Sequence, residues 1–159
     1  MRFESLVTVV SALNEAGSRF LVAGGVAVNL HGYLRAIQDL DLVVGLSSDN
    51  ALSAMRALAG LGYRPQVPVP MEDFADPAQR REWIENTGME VFSVVSESHP
   101  ETTVAIFVAE PFAFEEEYRL AALFEIAPGV EAATVRPEAL IAMKRPVGRE
   151  RDWDDIRHL

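Results

Sequence analysis

Cysteine is absent from the 159 residues. Its absence excludes a disulfide scaffold, thiolate zinc sites and cysteine nucleophiles, and leaves oxygen and imidazole as the donors for any metal. Histidine is scarce too, at His31, His99 and His158, and no triad or histidine-rich ligand set forms around these positions. No apolar run approaches the roughly 18 residues that span a bilayer. The stretch MRFESLVTVVSALNEAG carries Glu4 early and has no apolar core followed by a small-residue cleavage site, so it does not read as a signal peptide. A cytoplasmic protein without membrane contact is expected. Lysine occurs once, at Lys144, among 14 basic residues.

Carboxylates are plentiful. The net charge is −10, and residues 72 to 117 hold 12 acids against only Arg80 and Arg81, while the rest of the chain is balanced. A stable nucleic-acid binder needs a basic footprint that releases counterions, so stable DNA binding is not expected, whereas a transient RNA substrate remains compatible. The acidic block reads as a solvated face or as a docking face for a basic partner. Hydrophobic residues at 49% and charged residues at 24% are ordinary globular usage. One domain spanning residues 1–159 is expected.

Phe3, Leu6, Val9, Val10 and Leu13 recur at helical spacing, and Gly17 ends that helix. The run 20–23 reads as a strand, followed by the Gly24–Gly25 turn and a short helix through Leu30. Leu40, Leu42, Val43 and Val44 flank Asp39 and Asp41 in a second strand, and Ser47, Ser48 and Asp49 cap the next helix. Asp76 and Pro77 start another short helix through Trp83, with segments 89–95 and 102–109 as neighbouring strands. A helix over 114–123, a hairpin over 125–135 turning at Pro128 and Gly129, a helix from Pro137 through Met143 and a charged helix from Arg149 complete the pattern. This order predicts an α/β (α+β) fold with no internal repeat.

Two features meet in residues 21–44, LVAGGVAVNLHGYLRAIQDLDLVV. Gly24 and Gly25 permit a tight turn whose backbone N–H groups suit phosphate oxygens. Asp39 and Asp41 are two apart on a strand, so both project from one face and can hold a hard cation such as Mg²⁺. Each feature alone is common in turns and solvated strand edges. Together with Arg35, they resemble the signature of the nucleotidyltransferase superfamily that includes DNA polymerase beta, specifically its small bacterial branch related to abortive-infection toxins. Residues 134–159, with Lys144, Gly148, Arg149, Arg151, Asp152 and Asp155, are similar to that family's closing segment, and EPFAFEEEYRLA (110–121) to its link between sheet and C-terminal helices. The plain reading of the closing segment is a helix in which Arg151 and Asp155 pair at i, i+4.

The resemblance implies a mixed sheet flanked by helices with a short C-terminal helical segment. It implies an Mg²⁺-dependent enzyme that moves a nucleoside monophosphate from a nucleoside triphosphate to an acceptor. Asp39 and Asp41 would be the catalytic and metal-binding residues, and Gly24, Gly25, Arg35 and Lys144 would bind the nucleotide. A tRNA or protein acceptor and a protein antitoxin are the partners it brings. One residue departs from the pattern: the third carboxylate expected on a later strand falls on Ala105, which can neither bind Mg²⁺ nor accept a proton. That departure supports a second reading, a degenerate module that binds nucleotide or a partner protein without turnover. A third reading is an antibiotic nucleotidyltransferase, suggested by the same core. His31 reads as structural, and Tyr33 as a base-stacking residue if its loop covers the site.

Overall fold

Strict alternation in β2 (Asp39–Val44) organises the molecule. Leu40, Leu42 and Val44 turn to one face of the sheet and are fully buried, while Asp39, Asp41 and Val43 turn to the other. The computed structural model describes residues 1–159. β1 (Phe20–Ala23), β2, β3 (Arg64–Pro65), β4 (Val91–Val95), β5 (Thr103–Phe107), β6 (Ala122–Ala127) and β7 (Val130–Thr134) form one mixed sheet in the order β3-β4-β5-β2-β1-β7-β6. β2 is central, antiparallel to β1 and parallel to β5, and the register sets Asp39 beside Thr103 and Asp41 beside Ala105.

The larger core lies on the Leu40 face. α1 (Phe3–Glu15) buries Leu6, Val9, Val10 and Leu13 there, and α3 (Ser48–Gly60) adds Ala51, Met55 and Leu58. α3 starts where Ser47 accepts a hydrogen bond from the Asn50 backbone N–H, and α4 (Pro77–Thr87) where Asp76 accepts one from Ala78 at 2.9 Å. Trp83 from α4 stacks on Phe92 of β4 with ring centroids 5.1 Å apart, closing this core at the sheet's edge.

A smaller core covers part of the opposite face, where α5 (Phe114–Arg119) and α6 (Pro137–Val147) set Phe114, Ala139 and Leu140 against Leu21, Ala23 and Val43. It stops short of Asp39 and Asp41. α2 (Gly24–Leu30) follows β1 directly, and α7 (Glu150–His158) lies beyond α6. The half-covered face is thus apolar under α5 and α6 and open where the two aspartates stand.

The expected mixed sheet and flanking helices are present, with boundary changes of physical origin. The helix expected over 114–123 ends at Arg119, because Ala122 and Leu123 pair with Thr134 and Ala133 and extend the hairpin. α4 continues past Trp83 to Thr87, and α6 continues past Met143 to Val147, with Pro146 tolerated in its last turn and Gly148 at φ 63° ending it. The proline-rich connection contains β3 and a 3₁₀ turn over Met71–Ala75, which buries Phe74. No helix is long and apolar enough to cross a membrane.

Candidate functional site

The glycine pair begins α2 and approaches the aspartates closely. Gly24 has φ 57°, and a Cβ there would overlap the Asp41 carboxylate. A Cβ on Gly25 would lie 2.6 Å from Ile37 Cδ1 and 3.0 Å from an Arg35 guanidinium nitrogen. These glycines therefore admit the side chains of Asp41 and Arg35, a packing role beyond the tight, phosphate-suited turn read from the sequence. Gly24→Ala is expected to displace Asp41 and cost about 2 kcal/mol through strain and overlap, a loss that thermal denaturation would register and that unchanged stability would contradict.

Asp39 and Asp41 make no hydrogen bond to protein groups and no ion pair within 4 Å. Burial, and then the charge of Asp39, push Asp41 up to about 6, with Lys144, Arg149 and Arg35 partly relieving it. Because this carboxyl is raised in the folded chain, its ionisation opposes folding at neutral pH. The penalty disappears as pH falls from about 6 through the ordinary carboxylate range. Asp41→Asn is expected to stabilise the metal-free fold near pH 8 by on the order of 2 kcal/mol, a rise of roughly 4–8 °C in Tm. The difference should vanish near pH 4, and equal melting temperatures at both pH values would contradict the assignment.

The cationic side chains are gathered by α7. Asp155, fully buried, receives both the Nε and an Nη of Arg35 at 2.7 and 2.8 Å and the Lys144 ammonium at 2.9 Å. Burial works to raise Asp155, but the hydrogen bonds from Arg35 and Lys144 outweigh it and hold the carboxyl below its ordinary range. Asp152 accepts from the Arg149 backbone N–H at 3.0 Å and from its Nε at 2.8 Å, and the guanidinium bond holds Asp152 below its ordinary range. The i, i+4 pair of Arg151 with Asp155 does not form. Asp155 is committed to Arg35 and Lys144, and Arg151 makes no ion pair.

Three concavities meet here. One of about 220 Å³ lies between the glycine pair, Asp39, Asp41 and Lys144. A second of about 300 Å³ shares Gly24, Asp41 and Lys144 and is walled by Phe107, Pro111, Leu140, Met143 and Val147. A third, wider groove of about 630 Å³ is lined by Tyr33, Arg35, Arg149, Arg151 and Arg157 together with Glu150 and Asp154. Arg149 and Arg151, from the closing segment, join the site beside the residues that the sequence pattern points to. The apolar wall gave no sequence signal, because its residues come from β5, α6 and the loop between β5 and α5.

Other readings resolve into packing. Tyr33 donates to Asp154 at 2.6 Å and stacks on His158 with centroids 3.7 Å apart, so its ring is held by α7. His31 Nε2 lies 2.8 Å from the Val135 carbonyl and His99 Nδ1 lies 2.8 Å from the Ser5 hydroxyl. No group of three or more His, Asp or Glu residues is arranged to hold a metal, so Asp39 and Asp41 are a two-carboxylate set.

No family model matches the sequence, and no curated protein matches it. Solved structures do match, and they place the chain in the fold class of nucleotidyltransferases. The lincosamide antibiotic adenylyltransferase LnuA, solved bound to lincomycin, superposes with a TM-score of 0.64 at 13% identity, covering 98% of this chain and 94% of that one. ANT(2")-Ia in complex with adenylyl-2"-tobramycin gives a TM-score of 0.57 at 15% identity over 98% of this chain and 86% of that one. The solution structure of the antibiotic-resistance factor ANT(2'')-Ia gives 0.58 at 15% identity over 99% and 83%. The neighbours share the fold and act on antibiotics.

Proposed function

We propose that residues 1–159 form a single nucleotidyltransferase domain that moves a nucleoside monophosphate from a nucleoside triphosphate to an acceptor, releasing pyrophosphate. The observation that carries this reading is the unpaired Asp39–Asp41 set, pressed against Gly24 and ringed by Arg35, Lys144 and Arg149. Two hard oxygen ligands with no protein cation within 4 Å suit Mg²⁺, which takes few carboxylates and completes its shell from water and phosphate. Burial and mutual repulsion of the pair are also what a divalent cation would relieve. When bound, the ion would neutralise charge on the transferring phosphoryl group.

The chain's own side chains do the rest by positioning and electrostatics. Lys144 and Arg35, locked by Asp155, present positive charge to the phosphates without reorganising, and Asp152 orients Arg149 in the same way. An apolar wall from Phe107 to Val147 lines one side of the concavity beside Asp41.

A nucleoside triphosphate at about 100 times its Kd should stabilise the fold by roughly 2.7 kcal/mol. The expected result is an Mg²⁺-dependent rise in Tm with one of the four nucleotides, lost in Asp39→Ala. No rise with any nucleotide would overturn the reading. One observation favours the degenerate module instead. Ala105 stands beside Asp41, where a proton acceptor would be needed, and under that reading the Tm shift would appear without turnover on any acceptor. A toxin role would add an antitoxin encoded next to this chain and docked on the acidic block 72–117, checked by co-expression of the neighbouring reading frame.

A further inference from the structure

We infer that Arg151 grips the β- and γ-phosphates of the nucleoside triphosphate and meets the charge of the departing pyrophosphate. This rests on the nucleotidyltransferase reading and goes beyond it by fixing which way the nucleotide lies and which side chain tells a triphosphate from a monophosphate. Two independent observations carry it. Arg151 is the one cation of the aspartate pocket without a carboxylate partner, and the spaces on either side of that pocket differ in character.

The cations that line the pocket of Asp39 and Asp41 are Arg35, Lys144, Arg149 and Arg151. Three of them are committed: Arg35 and Lys144 are bonded to Asp155, and Arg149 is bonded to Asp152. Such pairs fix a side chain in place and offset its charge. Arg151 forms no ion pair and no side-chain hydrogen bond, and it is exposed. Its neighbour Glu150 lines the wide groove but not the aspartate pocket, whereas Arg151 lines both. Elsewhere the groove is internally satisfied, with Arg157 and Tyr33 both on Asp154. Arg151 is thus not one charge in a cationic field but the uncommitted arm at the junction of pocket and groove.

Asp39 and Asp41 set the place of the α-phosphorus, and from there a nucleoside triphosphate has two unlike ends. The concavity of about 300 Å³ shares Gly24, Asp41, Lys144, Arg149 and Asp152 with the pocket, and every other residue that lines it is uncharged, Phe107, Leu140 and Met143 among them. Such walls suit the base and sugar. The polyphosphate end is thereby directed the other way, through the pocket toward the groove, where Arg151 stands. A guanidinium fork matches two phosphate oxygens at once. In the transfer the acceptor's oxygen forms a bond to the α-phosphorus, its proton passes to water, and the bond from that phosphorus to the bridging oxygen of the β-phosphate breaks. The bonding pair stays on the pyrophosphate, and Arg151, protonated throughout, donates hydrogen bonds to it.

The test measures Tm and calorimetric affinity on the full chain with Mg²⁺ and three probes: each nucleoside triphosphate, the matching monophosphate and inorganic tripolyphosphate. The variants are Arg151→Gln and, as a charge control, Arg56→Gln, an exposed arginine of α3 on the opposite side of the sheet. Because Arg151 has no partner to strand, Arg151→Gln should fold with an unchanged ligand-free Tm. It should weaken triphosphate and tripolyphosphate by about tenfold or more, the loss of a charge-assisted bond, and leave the monophosphate as it binds to the native chain. Arg56→Gln should bind all three probes as the native chain does. Equal weakening of monophosphate and triphosphate in Arg151→Gln, or the same loss in Arg56→Gln, would overturn the inference. If the native chain shows the Mg²⁺-dependent Tm rise with a triphosphate and Arg151→Gln keeps it in full, the inference alone fails. If the native chain shows no rise with any triphosphate, the nucleotidyltransferase reading fails and takes the inference with it.

Discussion

Ala105→Asp is expected to raise transfer to an alcohol acceptor, such as glycerol, by about 10²–10⁴-fold, the usual contribution of a positioned base. The parallel register puts position 105 directly beside Asp41, and neighbouring residues on paired strands project from the same face. A carboxylate there would face the same space as Asp39 and Asp41, and its small neighbour Ser93 on β4 leaves the flank uncrowded. The substitution also brings a third negative charge to a carboxyl already raised by burial and by Asp39. Melting temperature without divalent ions should therefore fall, and the stabilisation gained on adding Mg²⁺ should grow. Labelled nucleotide transfer and melting curves with and without Mg²⁺ decide the matter together. A variant that folds, gains Mg²⁺ stabilisation and still transfers nothing to alcohols would sink the assignment of position 105.

Asp155→Ala should destabilise the fold by roughly 3–5 kcal/mol, because it leaves two largely buried cations without their partner. Arg35 is 16% and Lys144 10% exposed, and both are bonded to the one carboxylate, which is fully buried. For a chain of this length the loss corresponds to a Tm fall of roughly 6–20 °C. Its linkage to pH follows from the lowered carboxyl. Asp155 contributes stability above the ordinary carboxylate range and loses it as pH falls below that range. The gap between the native chain and Asp155→Ala should thus narrow on acidification. Urea midpoints across pH would measure it, and a loss under about 1 kcal/mol would mean that the cluster is only a surface pairing.

Much of this was legible because it is local. The two-residue period of β2, the helical stripes of α1 and α3, and the caps at Ser47 and Asp76 are nearest-neighbour effects written in residue types and spacing. The aspartate pair was legible for the same reason. Long-range pairing was not. Arg35 meets Asp155 across 120 positions, a partnership no spacing rule contains. The rule that does exist, i, i+4 on a helix, pointed Arg151 at Asp155 and failed, because a buried carboxylate satisfies itself with the cations that share its burial. Likewise Ala122 and Leu123 suit a helix as well as a strand, and only the partner β7 decides between them. The glycine pair was seen, but its purpose of making room for Asp41 and Arg35 required three separate segments to be in place.

The alternation of β2 carries one more consequence, for misfolding. A slip of one residue against β1 and β5 would swing Asp39 and Asp41 into the hydrocarbon interior and expel Leu40 and Leu42 to water. Both halves of that exchange are unfavourable, and their costs add. The same two carboxylates that burden the correctly paired strand therefore act as a proofreading device for it, making the nearest wrong alignment of the central strand the one the chain can least tolerate.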